Sequence, residues 1–147
     1  MDFSNLSSLT AASVSLLKDL IRTPSLSRQE DQTAELIHHY LASSLPQLKR
    51  QANNVYAKSR NWQAGRSTIL LNSHHDTVKA AAGYTRNPHS PDVENRKLYG
   101  LGSNDAGGCL VSLIAAFLYL ENHPDLGCNL ILAATAEEEI SGPNGIA

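Results

Sequence analysis

Three short clusters in this 147-residue chain carry side chains able to hold a cation or move a proton: His74-His75-Asp76, Asn104-Asp105 and Glu137-Glu138-Glu139. One imidazole with several carboxylates is a donor set that suits zinc or a similar divalent metal. A carboxylate such as Asp105 has two oxygens and can bridge two cations, which in two-metal hydrolases sit roughly 3.5–4 Å apart. The His-x-Asp spacing adds a second feature. In extended backbone, residues two apart face the same side, so Asp76 can accept the proton of the His74 ring nitrogen that does not face a metal. Each cluster taken alone also has an ordinary reading. The first can be a polar loop, Asp105 a helix cap, and the three glutamates a helix start, where negative charge is favoured.

The elements between the clusters would bring them together. Thr68-Ile69-Leu70-Leu71-Asn72 is a short apolar run expected to fill a buried sheet position, within a strand over Ser67 to Ser73 that ends at the histidine cluster. Cys128 to Ala134 is a second such run, ending at the glutamates. Between them, Gly108 to Glu121 is apolar almost all round and reads as a helix buried on several sides. Strand, helix, strand is a right-handed parallel crossover, the unit of an α/β sheet. In such sheets, ligands gather beyond the carboxyl ends of the strands. All three clusters fall at that edge.

Upstream, Val14, Leu17, Leu20 and Ile21 have helical spacing within Leu9 to Arg22, and Thr23-Pro24 ends that helix. Ser27-Arg28-Gln29-Glu30 reads as a capping box, with Ser27 as the cap and Glu30 reaching back. The helix it opens runs to about Ser43, with Ala34, Ile37, Tyr40 and Leu41 inward. His38 and His39 lie on its polar side, pointing too far apart to share a metal. Asn54 to Ser59 reads as a strand and Ala64-Gly65-Arg66 as a turn. The long polar stretch from Ser73 to Gly108 is of the kind that is functional or holds small elements of its own. A hairpin is expected over Val93 to Leu98.

Bulk properties narrow the function. The net charge of -2 gives no basic face for nucleic acid. No apolar run is long enough to cross a bilayer. The start, Met1-Asp2-Phe3-Ser4-Asn5-Leu6, lacks the basic and apolar blocks of a signal peptide, so a cytoplasmic protein is expected. Cys109 and Cys128 are read as buried thiols. Gly100-Leu101-Gly102-Ser103-Asn104-Asp105 begins like a dinucleotide loop, but Asp105 replaces the third glycine and would repel a pyrophosphate. The Gly-x-Ser-x-Gly of a nucleophile elbow is absent. Cys109 at a helix start is read as packing rather than as a nucleophile.

Four segments together resemble the M20 family of zinc peptidases and deacylases. Asn72-Ser73-His74-His75-Asp76-Thr77-Val78 is similar to the family's Gly-His-x-Asp-x-Val. Leu98 to Asp105 is similar to Leu-Tyr-Gly-Arg-Gly-x-x-Asp, and Ala134 to Glu139 to Thr-x-Asp-Glu-Glu. Thr23-Pro24-Ser25-Leu26-Ser27 matches Pro-Ser-x-Ser. Leu101 stands where Arg is common, and Ala106-Gly107-Gly108 replaces Met-Lys-Gly, changes that bear on substrate contacts or loop packing. The Ser-Asn-Asp-Ala-Gly-Gly version looks most like the acetylornithine deacetylase branch, which includes relatives acting on acyl-citrulline.

The resemblance implies a three-layer α/β fold, a mostly parallel sheet with helices on both faces. It implies two Zn2+ ions, with Co2+ or Mn2+ as substitutes. His74 would bind one, Glu139 the other, and Asp105 both. Glu138 would be the general base and acid, with Asp76 supporting His74. A cis peptide is expected at Asp105–Ala106. The implied reaction is hydrolysis of an N-acyl amino acid, of acetylornithine or acetyl- or succinyl-citrulline type, in arginine biosynthesis. An M20-type dipeptidase and a non-catalytic fragment retaining part of the site are the alternatives. Family members continue past Gly142 to Ala147 with a further acidic ligand, a late histidine and a domain that helps homodimerisation. Residues 1–147 therefore read as the N-terminal part of a catalytic domain. On that reading the chain alone would bind metal weakly, turn over little, and associate through exposed apolar surface.

Overall fold

The fold is described from a computed structural model, over residues 5–121, 123 and 125–146. Met1 to Ser4, read above as lacking a signal block, lie outside the described residues. Helix α1 (Leu6–Arg22) starts where the Asn5 side chain accepts the amide of Ser7 and ends at extended Thr23, before Pro24. Its buried stripe is Leu9, Leu16, Leu17, Leu20 and Ile21. Val14, expected inside, is 42% exposed, because the stripe turns past it towards Leu16.

Helix α2 (Asp31–Ala42) buries Ala34, Ile37 and Leu41, while His38 and His39 stay towards the surface. Its start corrects the capping box. Glu30 occupies the cap position without a side-chain cap bond, and its carboxylate instead accepts the amide of Arg28 at 2.7 Å. The Ser27 hydroxyl points away from the helix and donates to Asp76.

Strands β1 (Lys49–Gln51) and β2 (Asn54–Lys58) form a hairpin that turns at Ala52 in the left-handed region. The sequence reading had β2 but not β1, which is too short and polar to show an alternation. Strand β3 (Thr68–His74) is followed by a small hairpin, β4 (Val93–Glu94) and β5 (Lys97–Leu98), at the expected place. Its turn residues Asn95 and Arg96 both have positive φ, as a two-residue hairpin turn demands. Helix α3 (Gly107–Glu121) then leads to β6 (Asn129–Thr135).

The main sheet has the order β1-β2-β6-β3. It is mixed: β3 and β6 are parallel, in register from Thr68↔Asn129 to His74↔Thr135, and β2 runs antiparallel to β6. Val55, Ala57, Leu130, Leu132 and Ala134 form the core with the apolar stripes of the helices, including Phe117 and Ile114 of α3. Strand β3 is at the edge of this sheet, and Ile69 and Leu70 are each 50% exposed. The expectation of a buried position is corrected there, because β6 pairs with only one side of β3. Cys109 is exposed and Cys128 half-buried, not buried as read. Helix α3 keeps its core face at Leu110, Val111, Ile114, Phe117 and Leu118, and Cys109 falls off that face. At its start, a side chain on Gly107 would meet the carbonyl oxygen of Gly102 at 2.6 Å and Leu17 at 2.7 Å, so only glycine lets α3 sit this close to the preceding loop.

Candidate metal centre

The parallel pairing sets the site. His74 and Thr135 are register partners at the carboxyl ends of β3 and β6, so the residues after each strand emerge side by side. Asp105 precedes α3, whose packing against β3 and β6 returns it to the same edge. One ligand atom each from His74, Asp105 and Glu139 lie within 4.8 Å of one another. His74 Nε2 is 3.1 Å from Asp105 Oδ1 and 3.6 Å from Glu138 Oε2. The Asp105–Ala106 peptide is cis, as the resemblance implied. Asp105 and Glu138 remain open to solvent, with 76% and 54% of their side chains exposed, whereas His74 is largely buried.

Behind the imidazole, Nδ1 lies 3.0 Å from the carbonyl oxygen of Asp76 and 3.3 Å from its Oδ1. Both are acceptors, so Nδ1 carries the proton and Nε2 is turned towards the acids. The Asp76 hydrogen bond raises the His74 pKa to about 9, against the opposing effect of burial. Burial works against ionised Asp76, but hydrogen bonds from His74, Ser27 and the amides of Glu139 and Glu138 outweigh it and hold its pKa at about 2. Burial raises Glu139, and the charge of Asp105 adds to the effect. The group is thus rich in negative charge around one imidazole.

The same carboxylate organises the opposite strand end. Asp76 Oδ1 accepts the amide of Glu138 and Oδ2 that of Glu139, each at 3.1 Å, and Ser27 Oγ donates to Oδ2 at 2.7 Å. Ser27 arrives there because Leu26 bridges to Thr77 and Thr77 N donates to Ser25 O. The sequence places Ser27 and Glu30 in a helix capping box and gives no role to Asn53. The Pro-Ser-x-Ser match was the signal that segment 23–27 belongs near the site. His75 points the other way, with Nδ1 2.9 Å from Thr33 Oγ1 and Nε2 2.9 Å from Asn53 O. Burial lowers its pKa, which fits a neutral ring donating from Nε2. Glu137 is also turned from the metal group, accepting from Asn144 Nδ2 at 2.8 Å.

The donor set fits a divalent cation. Nitrogen and oxygen donors about 2.0–2.2 Å from one zinc lie at most roughly 4.4 Å apart. The three ligand atoms lie within 4.8 Å of one another, close to that limit, and His74 Nε2 and Asp105 Oδ1 fall well inside it at 3.1 Å.

A family model described as Peptidase family M20/M25/M40 matches residues 70–147, the segment that carries all three clusters. The chain belongs to this family. It is 31% identical over 140 residues to the acetylornithine deacetylase of Edwardsiella ictaluri, covering 87% of this chain and 36% of that protein. It is 28% identical over 141 residues to the succinyl-diaminopimelate desuccinylase of Blochmanniella floridana, covering 90% of this chain and 36% of the relative. The chain thus spans about a third of the length of these M20 relatives. Among solved structures, the M20 family metallo-carboxypeptidase Sso-CP2 from Sulfolobus solfataricus superposes with a TM-score of 0.71 at 26% identity, covering 87% of this chain and 31% of that one. No helix among the described residues is long and apolar enough to cross a membrane.

Proposed function

We propose that this chain carries part of the active site of a zinc-dependent amidohydrolase that removes the acyl group from an N-acyl amino acid. The observation that carries the reading is the convergence of His74, Asp105 and Glu139 at the edge of the β3–β6 pair. In this reading those three residues would be the metal ligands, and the two carboxylate oxygens of Asp105 would let it be shared between two Zn2+ ions. Co2+ or Mn2+ would be acceptable substitutes. A bound cation supplies Lewis acidity to the substrate carbonyl.

The remaining work belongs to the chain's own residues. The exposed carboxylate of Glu138, 3.6 Å from His74 Nε2, takes a proton from the attacking water and returns it to the departing nitrogen. Asp76 holds the His74 tautomer through Nδ1 and holds Glu138 in place through its amide. An acylated amino acid, of acetylornithine or acetyl- or succinyl-citrulline type, is favoured over a dipeptide. The two curated relatives act, by name, on acetylornithine and succinyl-diaminopimelate. A place in arginine biosynthesis in the cytoplasm goes with the first of these. The coverage of 36% supports reading residues 1–147 as the N-terminal part of a larger catalytic domain, with homodimerisation belonging to the complete protein.

The test combines metal analysis with turnover of acetylornithine, acetylcitrulline and a dipeptide, on this chain and on a version extended to the length of its relatives. Zinc uptake with deacylation by the extended protein is the expected result. Cleavage of the dipeptide alone would replace the deacylase with a dipeptidase. Absence of both zinc and turnover in the extended protein would leave a non-catalytic module and end the reading.

A further inference from the structure

Strand β6 stops pairing at Thr135, so the next four backbone amides need partners outside the sheet. Side-chain oxygens take up each one in turn. Ala136 N donates to Asn54 Oδ1 at 3.1 Å, and Glu137 N to Glu30 Oε1 at 3.2 Å. Glu138 N and Glu139 N donate to the two oxygens of Asp76. Within this run Glu137 adopts a left-handed conformation, with φ 55°, which a residue with a side chain rarely keeps unless its surroundings enforce it. The two carboxylates on either side of it provide that enforcement.

Glu30 is the carboxylate of this set that the proposed chemistry does not use. It is fully buried, and neither the Lewis-acid site nor the proton transfer touches it. Its charge is met by the amide of Arg28 at 2.7 Å, Asn53 Nδ2 at 2.9 Å and the amide of Glu137. Asn53 in turn receives His75 Nε2 on its carbonyl oxygen, tying Glu30 to the histidine cluster as well. Oε1 serves two amides and Oε2 a third donor, so a carboxylate satisfies all three donors and a neutral amide does not.

We propose that Glu30 is a positioning residue that sets the left-handed turn at Glu137 and thereby aims Glu138 and Glu139 at His74 and Asp105. The consequence for metal binding rests on the functional reading above, whereas the placement of the turn does not. Loss of Glu30 frees the Glu137 amide and loosens the two amides that follow, although those are bonded to Asp76 rather than to Glu30.

Amide hydrogen exchange on the metal-free chain, followed residue by residue by NMR, tests the placement, and Co2+ titration with its visible absorption tests the consequence. In Glu30→Ala, which removes the acceptor altogether, the amides of Glu137, Glu138 and Glu139 should exchange at least about tenfold faster relative to Leu132 in the core of β6. Co2+ affinity should fall by roughly tenfold with a changed absorption envelope. Glu121→Gln serves for comparison, since Glu121 is another buried carboxylate, paired with Arg60 at 3.0 Å at the far end of α3. It should lower the melting temperature without selective loss at 137–139. If Glu30→Ala does not fold, Glu30→Asp, which keeps the charge but withdraws it by about one carbon–carbon bond, gives the same readout. Parental exchange at all three amides, or equal acceleration of them in Glu121→Gln, would overturn the proposal. If the exchange result holds while the unmodified chain takes up no Co2+, the role of Glu30 stands and the metal reading fails.

Discussion

The buried carboxylate of Asp76 lies 3.3 Å from His74 Nδ1 and, on its other side, accepts the amide of Glu139 at 3.1 Å. One side chain therefore fixes two ligands of the proposed centre, one at the end of β3 and one just beyond the end of β6. Asp76→Asn keeps the shape but replaces an acceptor oxygen with a donor facing two N–H groups. Zinc affinity measured by calorimetry should drop by roughly 10–100-fold. An affinity within a factor of two of the parent would remove Asp76 from the design.

The same carboxylate governs acid stability. The folded state holds the Asp76 pKa at about 2, below its ordinary 3.8. A depressed carboxylate stabilises the fold above the ordinary value, and that contribution is lost as pH falls towards the folded one. Circular dichroism should therefore show loss of structure concentrated between about pH 4 and 2. Asp76→Asn should be less stable at neutral pH and flatter across that window. A parental slope in the variant would contradict the assignment.

Metal uptake should compete with a proton. Without metal, His74 is held protonated up to about pH 9 by the hydrogen bond to Asp76. Its raised pKa stabilises the metal-free fold fully below 6.5, and that contribution disappears as pH rises through about 9. Binding requires the neutral ring, so zinc affinity should increase by about tenfold per pH unit from 6 towards 9, with one proton released from His74. Titrations in buffers of different ionisation enthalpy count that proton. A pH-independent affinity would show that His74 is not a ligand.

Glu138 is assigned proton transfer rather than metal holding. In the extended protein, Glu138→Gln should retain its zinc and lose deacylation by roughly 10²–10⁴-fold. Metal analysis alongside initial rates separates the two roles. Unchanged turnover would rule out the assignment, and loss of zinc would move Glu138 among the ligands.

The core makes a prediction independent of the chemistry. Phe117 of α3 is completely buried against the sheet. Phe117→Ala should cost about 3–5 kcal/mol, read from urea unfolding. A loss below about 1 kcal/mol would mean that α3 does not pack as described.

Local patterns foretold the parts of the structure that depend on neighbours in sequence. The apolar runs of β3 and β6, the helix between them and the Asn95-Arg96 turn are all visible as composition and spacing. The three clusters were visible too, since each directly follows or precedes such an element. What escaped was set by contacts distant in sequence. Glu30 looks like a helix cap because its partner Glu137 lies 107 positions away. Ser27 looks like a cap for the same reason, with Asp76 49 positions away. Ile69 and Leu70 read as interior because hydrophobicity reports that a strand is apolar, not how many neighbours it has.

The register between β3 and β6 has a consequence for how this protein could change over time. Side chains on a strand alternate faces, so adding or deleting one residue anywhere in Thr68–His74 would swing the imidazole to the opposite side of the sheet. Growth or shrinkage in the irregular connector over 78–92 leaves that alternation untouched. Length variation among natural variants should therefore collect in the connector and be purged from the strand.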